Sequence, residues 1–405
     1  MTVAQGINKI TAYKVQSALG TPAIGAGGQI LRRRTSVAKT ARATYTNDEI
    51  VQHQQSTGVN LGTASSDWQF DGLLSPGTYA GLLETLMRKA FTATPAVTGL
   101  SITIAGAGPY TLTDGANDFL ADGLKIGDVI RITAGTYSNA VNRDNNLVVT
   151  DVTATVVTVV TLNGSVLIAE GPIASSTITV IGKKSLVPLT GHTDNLITVE
   201  EWYADISKSE LFPDLRIGQA DIGLPASGNA TIKLASQGLG VRTNGTAQAM
   251  TSPADASTSP VLTAVRGILR IAGAGIQVVT GVTLTIKTTL TPEGPIVGSN
   301  FSPDMSRGRM EVTGQFTALF DSTTIRDLFD AETVTSLLVV MGTDTTNNAD
   351  FMAFSLSALK LTDAAPDDGE KAIVRTYPFT AQLNADGGAA LANDKTILTI
   401  QDSLA

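Results

Sequence analysis

Metal and nucleophilic chemistry need particular side chains at particular spacings, and this sequence supplies few of them. His53 and His192 are the only histidines, and neither has a metal-spaced partner. There are no cysteines, which removes thiolate ligands, a thiol nucleophile and a disulfide framework. HExxH, the P-loop, GxSxG and GxGxxG are all missing. "GAGG" (25–28) lacks the third glycine and the helix that a phosphate cradle needs. Glu200 and Glu201 are adjacent in a strand-like run, where successive side chains face opposite ways, so they cannot act together as acid and base. Asp367, Asp368 and Glu370 in "DAAPDDGE" (363–370) are hard-cation ligands by type, but their spacing fits no calcium loop. A solvated hairpin tip is the simpler reading there, as an exposed loop is for His53 in "VQHQQSTG". No catalytic, cofactor or metal site is expected, and the chain does not read as an enzyme.

The remaining concentration of chemistry is "QILRRRTSV" (29–37), with Arg32, Arg33 and Arg34 in succession. A nucleic-acid patch would add more basic residues, yet only Lys39 and Arg42 follow before Asp48 and Glu49. On a strand, Arg32 and Arg34 share one face and Arg33 takes the other, so a flat three-arginine face is not available. Two readings stay open: solvated arginines, or arginines paired with carboxylates of a partner.

The elements that must carry these residues are mainly strands. Val282, Leu284 and Ile286 alternate with Thr283, Thr285 and Lys287, and Met310, Val312 and Phe316 alternate with Glu311, Thr313, Gln315 and Thr317. One segment reads as a convincing helix, "SPGTYAGLLETLMRKAF" (75–91), with Ser75 as N-cap and Pro76 in the first turn. Tyr79, Leu82, Leu83, Leu86, Met87, Ala90 and Phe91 form its apolar stripe, leaving Glu84, Thr85 and Arg88 outside. A shorter helix is expected in "DSTTIRDLFDAE" (321–332), with Ile325, Leu328 and Phe329 on one face.

Between Pro95 and Pro188 the chain is almost free of aromatics and runs in short strands, which predicts a small β-domain over 95–187 inserted between 1–94 and 188–405. The whole chain, 405 residues with net charge −8, is 42% hydrophobic and 16% charged, a globular composition. Residues 1–96 carry nine Lys/Arg against five Asp/Glu, while residues 187–405 carry 14 against 24. A basic opening and an acidic remainder suit association between copies. The N-terminus lacks the regions of a signal peptide, and apolar runs such as "SLLVVM" (336–341) are far short of the roughly 20 residues that span a bilayer. A soluble protein with no membrane association is expected.

Several segments, in order, resemble the major tail tube protein of long, non-contractile-tailed bacteriophages. They are "LRRRTSVAKTARATYTNDEI" (31–50), "GVNLGTASSDWQFDGLLSPGTYAGLLETLMRKAF" (58–91), Thr198–Leu234, "GVTLTIKTTL" (281–290), "RGRMEVTGQFTALFDSTTIRDLFDAETVTSLLV" (307–339) and "NNADFMAFSLSALKL" (347–361). The resemblance implies two packed antiparallel sheets with one flanking helix, the 95–187 segment being a β decoration. It implies hexameric rings stacked into a tube, with the tape measure protein in the bore and terminator and tip proteins at the ends. DNA would meet the chain only in transit, past a lining whose acidity repels phosphates. Assembly would take place in the host cytoplasm and the product would be part of the virion. It also implies that the hairpin at 40–60 reaches neighbouring subunits, which makes Thr46, Asn47, Asp48, Glu49, Ile50, Val51 and Gln52 contact candidates, with Arg32 and Arg34 at its base. The competing reading is an adhesion or carbohydrate-binding β-module, against which stand 5% aromatics and only two tryptophans.

Overall fold

The computed structural model describes residues 3–53, 55–276, 279–367 and 372–405. In chain order, the main elements begin with Lys9–Gln16 (β1), Thr35–Thr46 (β2), Val59–Leu73 (β3) and the helix Ala80–Met87 (α1). Six strands follow: Val97–Gly106 (β4), Tyr110–Thr113 (β5), Val129–Ala134 (β6), Leu147–Val152 (β7), Val156–Thr161 (β8) and Glu170–Val180 (β9). Next come Lys183–Leu186 (β10), Leu196–Tyr203 (β11), Lys208–Pro225 (β12), Thr231–Gly238 (β13) and Gly267–Ile271 (β14). The chain closes with Val279–Pro292 (β15), Met305–Leu319 (β16), the helix Thr324–Asp330 (α2), Thr335–Gly342 (β17), Phe351–Leu361 (β18), Val374–Ala381 (β19) and Thr399–Asp402 (β20).

The fold is mainly β, as the alternation predicts, and its strands pack in layers. The first layer is a wall in the order β2–β3–β13–β12–β15–β16–β19, every pair antiparallel. Its inward positions, including Trp68, Phe70, Ile222, Ile232, Leu284 and Phe316, are buried in the main core. Its outward positions are polar. There the register sets Lys233 between Asp71 and Asp221, and Lys287 opposite Glu311. Opposite charges directly across a ladder attract, and a shift of one residue would turn them into the core.

Behind the wall the same sheet folds over into a second layer, the second sheet, β14–β17–β18–β20–β10, joined to the wall where β18 pairs with β19. Strand β17 carries the unbroken apolar run "SLLVVM", and burial explains it. Leu337, Val339 and Met341 join the core shared with the wall, whereas Leu338 and Val340 join a separate cluster on the opposite face. A strand buried on both faces has no polar alternation to show.

What covers that second face is a closed six-stranded barrel, β9–β4–β5–β8–β7–β6, with its own core of residues such as Ile102, Leu112, Phe119, Ile132 and Val159. Val129 and Val148 of the barrel pack on Leu338, Val340, Phe351 and Ala353. Gln401, buried in β20, accepts a hydrogen bond from Val129 N–H (2.8 Å) and donates to the carbonyls of Val129 (2.9 Å) and Ile181 (2.7 Å). Lys184 reaches Asp128 at 2.7 Å and Asp394 at 3.3 Å. Strand β10, within the 95–187 segment, pairs with β20 of the second sheet rather than with the barrel.

Helix α1 is shorter than its periodicity predicts. Gly77 has φ +71°, which breaks the helical path, and its N–H is held by the Asp402 carboxylate at 2.8 and 3.0 Å. Ser75 therefore does not cap the helix; its hydroxyl bonds that of Thr78 at 2.6 Å. Thr85, expected outside the stripe, is buried, with its hydroxyl bonded back to Leu82 O, and Ala90 is exposed. The second helix forms as expected, with Ile325, Leu328 and Phe329 packed against the core.

Candidate functional site

The residue types suited to chemistry are dispersed and occupied. Glu200, fully buried, accepts hydrogen bonds from Ser209 Oγ (2.6 Å) and from the N–H groups of Ala249 (2.6 Å) and Met250 (2.8 Å). Glu201 turns to different partners, Lys9 Nζ at 2.6 Å and Ser36 Oγ at 2.9 Å. Ser36 Oγ also accepts from Trp68 Nε1 at 3.0 Å, so one carboxylate and one hydroxyl tie β1, β2, β3 and β11 together. His53 is exposed, its Nδ1 accepting from Gln55 N–H, and His192 is exposed. Asp367 is exposed; Asp368 and Glu370 lie outside the described residues. Among the described residues no group of three or more His, Asp or Glu side chains is placed to hold a metal ion, and no helix is long and apolar enough to cross a membrane.

The arginine triplet does not lie on a strand. It follows the two-residue strand Gln29–Ile30 and precedes β2, in a segment whose side chains leave in three directions. Arg32 donates to the carbonyls of Ser257 (3.2 Å) and Ser259 (2.6 Å), and Arg33 to those of Gly6 and Lys9, each at 2.6 Å. Tyr79 Oη donates to Arg32 O at 3.1 Å. Arg34 is exposed, with its guanidinium 3.6 Å from Asp71. Residues 31–34 have no strand geometry, so the alternation of faces assumed for Arg32, Arg33 and Arg34 does not apply.

Beyond the triplet, β2 and β3 run past the body as a two-stranded arm, paired from Thr35 opposite Asp71 to Thr46 opposite Val59. From Ala41 to Thr46 on one strand, and from Val59 to Leu61 on the other, every residue is exposed whichever way it points. The tip follows directly: Thr46, Asn47, Asp48, Glu49, Ile50 and Gln52 are exposed and Val51 is half-buried. Asn47 N–H bonds Gly58 O at 3.1 Å to close the loop. Tyr45, Ile50, Val59 and Leu61 are large apolar side chains left in solvent. The root is braced by Ala64 N–H bonding Asn300 O at 2.9 Å, from the β15–β16 loop. Strand β2 pairs only with β3, so among the described residues its other edge is open.

A polar cluster that the sequence does not signal ties the wall to α1. Arg216 meets Asp194 at 2.6 Å and Asp304 at 2.9 Å, and Arg307 meets Asp194 at 2.8 Å while donating to Thr85 O (3.0 Å) and Asn195 O (3.1 Å). Burial pushes the Arg307 guanidinium down to about 10, with Asp194 opposing the shift.

These features together make a β-wall whose edge is open among the described residues, with a solvated arm running beyond it. A family model described as phage tail tube protein matches residues 6–381, which takes in the wall, the arm and the barrel. The chain belongs to the phage tail tube protein family. It is thus a structural component of the phage tail, and so of the virion, in a family defined by building a tube rather than by catalysis. No curated protein in the comparison matches this tail tube chain.

Proposed function

We propose that the chain assembles into stacked hexameric rings forming the conduit through which the genome is ejected. The arm is the observation that supports this reading best. A two-stranded ribbon is marginal alone in water, and one with four large apolar side chains in solvent is suited to a covering partner. Self-assembly supplies that partner. The open edge of β2 would pair in ring closure, which removes an otherwise aggregation-prone edge. Thr46 to Gln52 would make the contact with a neighbouring copy. At the base, exposed Arg34 is placed to meet a carboxylate, while Arg32 is already held by its own chain.

On this reading the polar outward face of the wall lines the bore, with the tape measure protein inside and terminator and tip proteins at the ends. Its lysines stand opposite carboxylates, so DNA would pass a lining whose charges are locally neutralised. Electron microscopy of the purified chain at high concentration tests the proposal: rings or tubes are expected. Replacing residues 47–57 with a two-residue turn should leave a folded subunit that no longer polymerises. Normal tubes from the shortened chain would refute the role of the arm.

A further inference from the structure

Where the barrel meets the second sheet, one amine faces two carboxylates away from solvent. Lys184 Nζ stands 2.7 Å from Asp128 Oδ1 and 3.3 Å from Asp394 Oδ2. Asp128 is 2% exposed and Lys184 9%. All three side chains are held in place. Lys184 lies in β10, its backbone bonded both ways to Thr92 at 2.8 and 2.9 Å. Asp128 Oδ2 accepts from Lys125 N–H at 3.0 Å, and Asp394 Oδ2 from Thr399 Oγ1 at 3.0 Å. A buried ion pair is complete with one carboxylate, so Asp394 is surplus to charge pairing. Burial pushes the Asp128 carboxyl up against the opposing pull of Lys184, which favours its acid form. At Lys184 burial favours the free amine, but Asp128 and Asp394 outweigh it and hold the amine above its usual range. Removing protons from Nζ is therefore the step that needs a base.

We propose that Lys184 and Asp128 condense into an intramolecular amide, with Asp394 as the proton carrier. The Lys184 ammonium passes one proton to Asp128, leaving a neutral amine beside a neutral carboxyl. Nζ then bonds to Cγ, and the oxygen held by Lys125 N–H takes up the negative charge. Asp394 accepts a second proton from Nζ and returns it to the Asp128 hydroxyl, which departs as water. One C–N bond forms, one C–O bond breaks, and one positive and one negative charge vanish together. The balance calls for no oxidant and no cofactor. Amines and carboxylates do not condense in bulk water, but groups fixed side by side react at effective concentrations of about 10⁵–10⁸ M. The link clips the barrel to β10 in a chain that has no cysteines, and it waits for Asp394, made near the end of synthesis. It stands independently of the tube reading.

Intact mass spectrometry of the purified full-length chain tests this. The folded chain should weigh one water less than its sequence. Trypsin should spare Lys184 and release a branched peptide joining 126–131 to 184–208. Lys184→Arg and Asp128→Ala should each restore the full sequence mass. Asp394→Asn keeps a polar side chain at a half-buried position, so it should fold with an unchanged circular dichroism spectrum and form the link about a hundredfold more slowly. A folded chain at its full sequence mass, giving separate peptides 126–131 and 185–208, overturns the proposal and leaves a simple buried ion pair. A water loss that survives in Lys184→Arg, or that maps to an Asp–Gly bond such as Asp122–Gly123, is a succinimide and overturns it equally. A link formed at the unchanged rate in Asp394→Asn overturns the role of Asp394.

Discussion

Replacing Val97–Val180 with a short Gly-Ser linker should destabilise the chain severely, although the cut itself is geometrically simple. Ile178 stands opposite Val97 in the β4–β9 ladder and Thr92 bridges Lys184 just outside the cut, so the two ends lie close enough for a short linker. The loss comes from the surface left behind. Leu338, Val340, Phe351 and Ala353 are each at most 7% exposed, under the barrel. At roughly 1.5–3 kcal/mol for each large side chain, Leu338, Val340 and Phe351 together forfeit about 5–9 kcal/mol of burial. That approaches the whole stability of an ordinary domain, about 5–15 kcal/mol. The excised chain should melt more than about 10 °C lower by circular dichroism, bind a hydrophobic dye and elute as aggregate. Adding Leu338→Thr, Val340→Thr and Phe351→Thr to the excised chain should recover a soluble monomer, because threonine keeps strand propensity and tolerates water. If the excised chain without those changes melts within a few degrees of the intact one, the barrel is not a structural cover.

Three further expectations follow from buried polar contacts. Burial raises Asp402 to about 6, with backbone donors from Leu404 and Gly77 opposing the shift, so between pH about 4 and 6 the folded chain holds a proton that the unfolded chain releases. This contribution, about 3 kcal/mol, is fully present below the unfolded value and lost as pH rises through about 6; Asp402→Asn should flatten that part of the stability–pH curve, and an unchanged slope would refute the assignment. Gln401→Ala strips partners from Val129 N–H and Ile181 C=O and should cost about 2–5 kcal/mol in chemical denaturation, with hydrogen exchange fastest at the barrel seam. Asp194→Ala leaves the buried Arg307 guanidinium without its carboxylate; since Asp194 is itself partly exposed, a loss of about 2–3 kcal/mol is expected, and none would show that Asp304 and the carbonyls suffice.

The wall was legible because one-sided burial prints a period of two, as in Val282, Leu284 and Ile286. The run "SLLVVM" gave no such sign, since both faces of β17 are covered, the second by residues nearly two hundred positions earlier. The helix start was misplaced because Gly77 is fixed by Asp402, 325 residues away, a contact no local rule contains. The same holds for Arg32, whose carbonyl acceptors lie more than 220 residues downstream. The arm announced itself through a polar tip too long for a tight turn. Its stranded apolar residues did not: Tyr45 and Leu61 alternate with polar neighbours just as core residues do, and only the structure shows that both are left largely in solvent.

The closed ladder of the barrel also has a consequence in time. All of its pairings join residues between 97 and 180, whereas β1 waits for Tyr203 and the cover-seeking strands β17 and β18 do not begin until Thr335. At about 5–20 residues per second, a ribosome finishes the barrel roughly 8–30 s before β17 is made. Local ladders also close at lower entropic cost than distant ones. The apolar back of the second sheet thus emerges to find a finished surface waiting for it, and is shielded as it forms rather than after. Stalled chains ending near residue 220 should already carry a protease-resistant barrel; digestion of that segment in such chains would show that it folds only with the rest. For a protein made in many copies with an open strand edge, early shielding of its most apolar sheet separates orderly polymerisation from aggregation on the ribosome.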